Sequence, residues 1–305
     1  MKVLSIGSAI LDKISFVKEM PKKDLLIDAF DQIELGGCAA NVSVALAQLG
    51  IFSSILCSIG RDTDGHFILQ ELISKGVDTS KISMMEGKSG YCKCYVDQFA
   101  ERDFFNYDGV NLNIDDTYIQ SGILKEYDAL YVSGYELLEK RSSDAVMKAI
   151  RLAKKLGRLI YFDPAPVIMD IPQDILDEVL MTSNYVVLNK DEANAFGHTL
   201  NEVLCAKIIN DRGAQNVIIK LGNLGCFFYN HQENFFVNSI PVDAIDTNGA
   251  GDAFMAGLIY AHLQKMDEYN ACRYANAVAS VIVRSKGSQS SILSLPLVED
   301  IVRGT

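Results

Sequence analysis

The chain has 305 residues, 49% hydrophobic and 22% charged, a balance that suits one large globular core or two modest ones. Its formal net charge is -11 with Lys and Arg scattered, so it lacks the basic stripe that displaces counterions from nucleic acid. No apolar run approaches the roughly 20 residues needed to cross a bilayer, so neither a nucleic acid nor a membrane is expected as a partner.

The first segment, Met1 to Phe16, resembles the start of a signal peptide, but Asp12 interrupts its apolar run and no small-residue cleavage pattern follows. A first core strand with Asp12 at its end is the better assignment. Residues 25–35 read as extended. Gly36 and Gly37 then open a helix in which Val42, Ala45, Leu46 and Leu49 recur at helical spacing, and Gly50 marks its stop. Ser54 to Ile59 has the length and composition of a buried strand. Ile68, Leu69, Leu72 and Ile73 predict the next helix, closed by Gly76.

Residues 90–107 predict a hairpin, with Tyr91, Lys93 and Tyr95 on one face, Cys92, Cys94 and Val96 on the other, and a turn near Phe99 to Arg102. The strand–helix rhythm returns with Ala129 to Val132, a helix through Val146, Ile150 and Ala153, and Gly157. Strands Leu159–Phe162, Tyr185–Leu188 and Val217–Leu221 continue it. Such alternation predicts a mostly parallel sheet with helices on both faces. The extended segment and the hairpin have no helices of their own, which suits a lid of strands over the sheet.

Seven cysteines at positions 38, 57, 92, 94, 205, 226 and 272 form no C-x-x-C pair, so free thiols in a reducing, cytoplasmic setting are expected. The four histidines lack zinc spacing.

The richest stretch in chemistry is Asp246-Thr-Asn248-Gly249-Ala250-Gly251-Asp252, which runs into an apolar helix pattern through Met255, Leu258, Ile259 and Leu263. Glycines before a helix leave backbone N–H groups facing outward, and with the helix dipole they make an anion site. Asp252 falls in the first turn beside it, where a carboxylate can take a proton from a hydroxyl attacking phosphorus. Alone, the string could be a tight turn with a favourable first-turn acid. Far upstream, however, Gly36-Gly37-Cys38-Ala39-Ala40-Asn41 offers a second glycine turn, with an amide able both to donate to and to accept from a polyol.

Gly36 to Gly60 resembles the N-terminal signature of the ribokinase (PfkB) family of carbohydrate kinases, and Asp246 to Ile259 resembles its C-terminal signature. Asp163-Pro-Ala-Pro166, Asn189-Lys-Asp-Glu192, Ala275-Asn276-Ala277 and Lys286-Gly287-Ser288-Gln289 fall where that family has counterparts, so the resemblance spans nearly the whole chain. Ala39 departs from the Gly or Pro that the family often has there. The resemblance implies a three-layer α/β/α sandwich with a mostly parallel central sheet and a small β-sheet lid. It further implies one kinase domain over residues 1–305, with the lid formed by about residues 11–35 and 88–108.

The resemblance also implies roles. Asp252 would be the base, and the amides of Gly249, Ala250 and Gly251 the anion hole. Asp12, Gly36, Gly37 and Asn41 would grip the substrate's hydroxyls. Asn189 and Glu192 would organise Mg²⁺, Glu192 through water. Lys220, Gly222 and Gly225 would run along the nucleotide, with Asn276 and the Gly287 region as the wall of its base pocket. Asp246, Asn248 and Ser291 suggest a K⁺ loop. Phe104, Asn106 and Asp108 are lid candidates without a family counterpart.

No Walker A string occurs, and Ile6-Gly7-Ser8-Ala9-Ile10-Leu11 fails the dinucleotide fingerprint. The expected function is phosphoryl transfer from ATP, with Mg²⁺, to a hydroxyl of a sugar or sugar acid. A nucleoside kinase of the same family stays open through Tyr91, Tyr95, Phe104 and Phe105. The other alternative is a non-catalytic sugar-sensing protein on the same fold. Free lid edges and an apolar lid face would favour a homodimer.

Overall fold

The computed structural model describes residues 1–20, 29–99, 102–120, 122–289 and 293–304. In chain order the elements are β1 (Lys2–Ile6), β2 (Ile10–Val17), β3 (Ala29–Gly36), α1 (Cys38–Gln48), β4 (Phe52–Gly60), α2 (Thr63–Ser74), β5 (Ile82–Met85), β6 (Tyr91–Val96) and β7 (Arg102–Tyr107). They continue with α3 (Thr117–Gln120), β8 (Ala129–Ser133), α4 (Lys140–Lys155), β9 (Leu159–Asp163), α5 (Gln173–Thr182), β10 (Tyr185–Asn189), α6 (Lys190–Gly197) and α7 (Glu202–Asp211). The last are β11 (Asn216–Lys220), β12 (Cys226–Tyr229), β13 (Asn234–Val237), α8 (Ala250–Leu263), α9 (Glu268–Ile282) and α10 (Leu295–Gly304).

Nine strands form the main sheet in the order β13-β12-β11-β10-β9-β8-β1-β4-β5. Only β12 runs against its neighbours; the other pairings are parallel. Strands buried on both faces need apolar residues at nearly every position, because successive side chains point to opposite sides. β10 shows this: Tyr185 and Val187 join the core under α1, α2, α8, α9 and α10, whereas Val186 and Leu188 join the one under α3 to α7. Each fully buried Val or Leu contributes about 1.5–3 kcal/mol, so the two cores together fix the sheet between helical layers. The predicted three-layer sandwich is what the chain adopts.

A second sheet, in the order β3-β2-β6-β7, forms the lid. β2 pairs antiparallel with β3 and parallel with β6, and β6 and β7 make the predicted hairpin, with Tyr91 opposite Tyr107. The extended segment predicted at residues 25–35 is found as β3; residues 25–28, and residues 100 and 101 of the predicted hairpin turn, lie outside the described residues. One expectation is corrected. Asp12 is not at the end of the first strand, since β1 stops at Ile6 and Asp12 lies within lid strand β2. The break falls at Gly7, where a side chain would come within 2.9 Å of Ala39 Cβ. An unbroken apolar run hides such a change of sheet.

Candidate active site

Parallel strands of an open α/β sheet present their carboxyl ends along one edge, and ligands bind in the crevice there. Asp163 ends β9, Asn189 ends β10 and Lys220 ends β11; Asn189 and Lys220 are register partners. The N-termini of α1 and α8 point into the same crevice. Gly249 caps α8 with φ 73°, and a side chain there would strike the Ser288 carbonyl oxygen at 2.4 Å, so only glycine fits this turn. The first-turn amides of α8 have no carbonyl of their own helix to bond. Ala250 nonetheless spends its N–H on the Thr247 carbonyl at 3.2 Å.

The two glycine turns, some two hundred residues apart in sequence, meet at one hydrogen bond. Asn41 Nδ2 donates to Asp252 Oδ2 at 2.8 Å. Asn41 is itself held from behind: its Oδ1 accepts from Gln289 Nε2 at 2.8 Å and from Ser288 Oγ at 3.2 Å. Desolvation pushes the Asp252 carboxyl up to about 7; the Asn41 bond opposes the rise, the Asp163 charge adds to it and Lys220 offsets it. Lys220 pairs with Asp163 at 3.2 Å, and its Nζ lies 3.1 Å from where a side chain on Gly251 would begin. Desolvation opposes its charge, yet Asp163, Glu192 and Asp252 hold its ammonium above the usual lysine range.

On the α8–Lys220 side lies a cavity of about 630 Å³ lined by Asn189, Lys220, Gly222, Gly225, Ala250, Gly251 and Asn276, with an apolar shelf of Ile240, Pro241, Val242, Ala279 and Val283. Glycines at 222 (φ 61°) and 225 (φ 102°) shape its loop, which closes through the Leu221 N–H to Gly225 carbonyl bond at 2.7 Å. Asn276 donates to the Asn238 carbonyl at 3.2 Å, so its amide braces the wall. Asn189 and Glu192 form a reciprocal cap on α6. The Asn189 N–H donates to Glu192 Oε2 at 2.7 Å, and the Glu192 N–H donates to Asn189 Oδ1 at 2.8 Å. Burial, and then the Asp163 charge, raise the Glu192 carboxyl.

On the other side of Asp252, under the lid, is a smaller pocket of about 220 Å³. It is lined by Asp12, Glu34, Asn41, Asp246, Asn248, Gly249 and Gly287, with Ile14, Phe16, Cys92, Cys94, Val96 and Phe104 as its apolar wall. Asp12 stands so close to Gly36 that a side chain there would meet its Oδ2 at 2.4 Å. Desolvation, then the neighbouring Glu34 charge, pushes the Asp12 carboxyl up to about 6; desolvation, then Asp246, raises Glu34.

The structure therefore brings Asp12, Gly36, Gly37, Asn41, Asn189, Lys220, Gly249 and Asp252 to one crevice. It sets Gly287 against Glu34 in the lid pocket, across from the larger cavity. Asp246 accepts backbone N–H bonds from Asn248 and Gly287, both at 3.1 Å, while Ser291 lies outside the described residues. Of the lid aromatics, Phe104 faces the pocket; Tyr91, Tyr95 and Phe105 line the opposite face of the lid. Asn106 donates to Asp108 near the end of β7.

Three further residues were not picked out by motif. Glu34 is legible only once β2 and β3 are paired. Cys38, in the first turn of α1, has no role of its own by motif, yet its thiol lies beside the Asp252 carboxyl and favours its ionised form. Glu136 is fully buried, with Ser8 Oγ donating to its Oε1 at 2.5 Å. It lies three residues beyond the end of β8, in the turn Gly134–Leu137, past Ser133, the register partner of Asp163.

A family model described as "pfkB family carbohydrate kinase" matches residues 1–295. A ribokinase of Haemophilus influenzae is 29% identical over 269 residues, covering 86% of this chain and 85% of its own. A solved ribokinase of Thermotoga maritima superposes with a TM-score of 0.88 at 24% identity, over 99% of both chains. The Arabidopsis thaliana ribokinase solved with ribose and ATP superposes at 0.88 and 21% identity, over 99% of this chain and 98% of its own.

Proposed function

Because the chain belongs to the pfkB family of carbohydrate kinases, we propose that it moves the γ-phosphoryl group of ATP to a sugar hydroxyl bound under the lid, with Asp252 as the base. The Asn41–Asp252 bond carries this reading, since it ties the hydroxyl-gripping turn to the phosphate-facing helix start. In the reaction the sugar hydroxyl gives its proton to Asp252 as its oxygen bonds to the γ-phosphorus. The bond from that phosphorus to the β–γ bridging oxygen breaks, and ADP leaves with the electron pair. The α8 N-terminus, through the amides of Gly249 and Gly251, and Lys220 stabilise the charge on the phosphoryl oxygens, while the Ala250 amide is engaged by the Thr247 carbonyl.

Among the described residues no group of three or more His, Cys, Asp or Glu could hold a metal directly. A site of that kind fits Mg²⁺ kept largely in its water shell, with Asn189 and Glu192 holding those waters; bound there, the ion would neutralise phosphate charge. If the enzyme uses K⁺, the Asp246–Asn248 turn would hold it, with the Asp246 carboxylate lining the lid pocket.

The expected cytoplasmic setting rests on seven free cysteines. Among the described residues, no helix is long and apolar enough to cross a membrane. A second copy of the chain would cover the outer lid face, where Ile33, Phe105 and Tyr107 are exposed. The apolar lid wall of Phe16, Val96 and Phe104 favours a nucleoside as the second reading. ADP release with Mg-ATP over sugars, sugar acids and nucleosides, with and without K⁺, tests both; no stimulation by any acceptor would remove the kinase assignment.

A further inference from the structure

Asp12 and Glu34 are register partners on the antiparallel strands β2 and β3, and both line the pocket under the lid. Like charges directly opposite one another weaken a sheet. A third carboxylate stands beside them: a side chain on Gly287 would meet Glu34 Oε2 at 2.6 Å, and the Gly287 N–H donates to Asp246 Oδ2. Among the described lining residues the one cation, Lys286, is exposed, with its ammonium 5.9 Å from the centre of the Phe16 ring. The lysines of the same sheet point the other way, Lys13 to Asp64 at 2.6 Å and Lys93 to Asp31 at 3.4 Å.

Among the described side chains of the lid strands, those charged towards the acceptor are the carboxylates Asp12 and Glu34, whereas the ammonium groups of Lys13 and Lys93 lie on the outer face together with Asp31 and Asp103. Ionised carboxylates accept hydrogen bonds from hydroxyl or ammonium donors and repel acids. At about 220 Å³ the pocket is smaller than the ~300–1,000 Å³ typical of drug-sized ligands, which suits a single sugar ring.

We propose that the Asp12–Glu34 pair is a charge filter: the acceptor is a monosaccharide bearing hydroxyl or amino groups and no acidic group, and Glu34 is the residue that rejects sugar acids and sugar phosphates. The proposal rests on the kinase reading above and deepens it.

The test compares matched acceptors at fixed Mg-ATP and K⁺: D-ribose with D-ribonate, D-glucose and D-glucosamine with D-gluconate, and D-fructose with its 6-phosphate. In every pair that supports turnover, kcat/KM for the acidic member should be lower by about 10²-fold. Glu34→Gln should narrow that ratio by about tenfold. An acid used better than its neutral partner, or a ratio unmoved in a folded Glu34→Gln protein, overturns the filter. If that variant does not fold, the wild-type ratios still decide. Calorimetric titration of the same pairs reads the filter without turnover, so tight binding of acids sinks it, whereas absence of turnover on all acceptors sinks the kinase reading instead.

Discussion

The two pockets flank the start of α8, one reaching Ala250 and Gly251 and the other Asn248 and Gly249, and they differ in charge. Among the described residues none that lines the larger cavity is acidic, and that cavity holds Lys220 and the start of α8. The lid pocket has Asp12, Glu34 and Asp246, with Lys286 exposed at the edge. A site that must hold a polyanionic phosphate chain and a polyol together cannot treat them alike. Cations and helix N-termini suit the first, whereas hydrogen-bond acceptors suit the second. Asp252 sits on the boundary, where it can face a hydroxyl from one pocket and a phosphorus from the other.

The most direct way to break this division is to remove the boundary group. Asp252→Asn should cut turnover by about 10²–10⁴. Nucleotide binding, read as the shift in Tm on adding Mg-ATP, should stay close to wild type. A loss of less than threefold in kcat would move the base elsewhere. Next comes the cation of the larger cavity. Lys220→Met leaves Asp163 without its buried partner, which costs about 3–5 kcal/mol in denaturant unfolding. It should also lower kcat/KM for ATP by about 10², as for loss of one charge-stabilising donor, while the sugar KM changes by a few-fold. If the sugar KM rose as much as the ATP term fell, the pockets would not be separate in charge.

The larger cavity was far more legible in the sequence than the lid pocket. Glycine turns before a helix, Asn189–Glu192 and the Lys220 loop are local signals, because backbone amides and caps are built from consecutive residues. The lid pocket depends on pairing between distant strands. Asp12 was placed at a strand end because nothing local shows β1 giving way to β2 at Gly7. Glu34 became visible only through its register with Asp12, and Glu136 only through the buried bond to Ser8. The parallel sheet was easy to foresee because strands buried on both faces are apolar throughout; lid strands alternate, and their partners cannot be read from one segment.

A smaller effect sharpens the boundary itself. With its carboxyl near 7, Asp252 must lose its proton to act as base, so kcat/KM should fall as pH drops below about 7, with unit slope. The Asn41 bond favours the ionised form. Asn41→Ala should therefore move the acid limb to higher pH, and also weaken sugar binding by about tenfold. A limb that moved to lower pH, or stayed in place, would show that Asn41 does not set the charge of Asp252.

The smallest expected effect lies beneath the crevice, at Glu136. Desolvation pushes its carboxyl up to about 7, against the opposing Ser8 bond, and Asp108 adds to the rise. A folded-state value above the unfolded one means that the folded protein binds more protons, so this group's contribution to stability falls as pH rises from about 4.5 to 7. By pH 8 the cost reaches about 3 kcal/mol, shrinking to less than about 1 kcal/mol at pH 5. Glu136→Gln removes the ionisation and keeps the shape, so its Tm should exceed that of wild type by several degrees at pH 8, with the gap closing towards pH 5. A gap that does not depend on pH would mean that Glu136 stays charged in the folded protein, paired by a group other than Ser8.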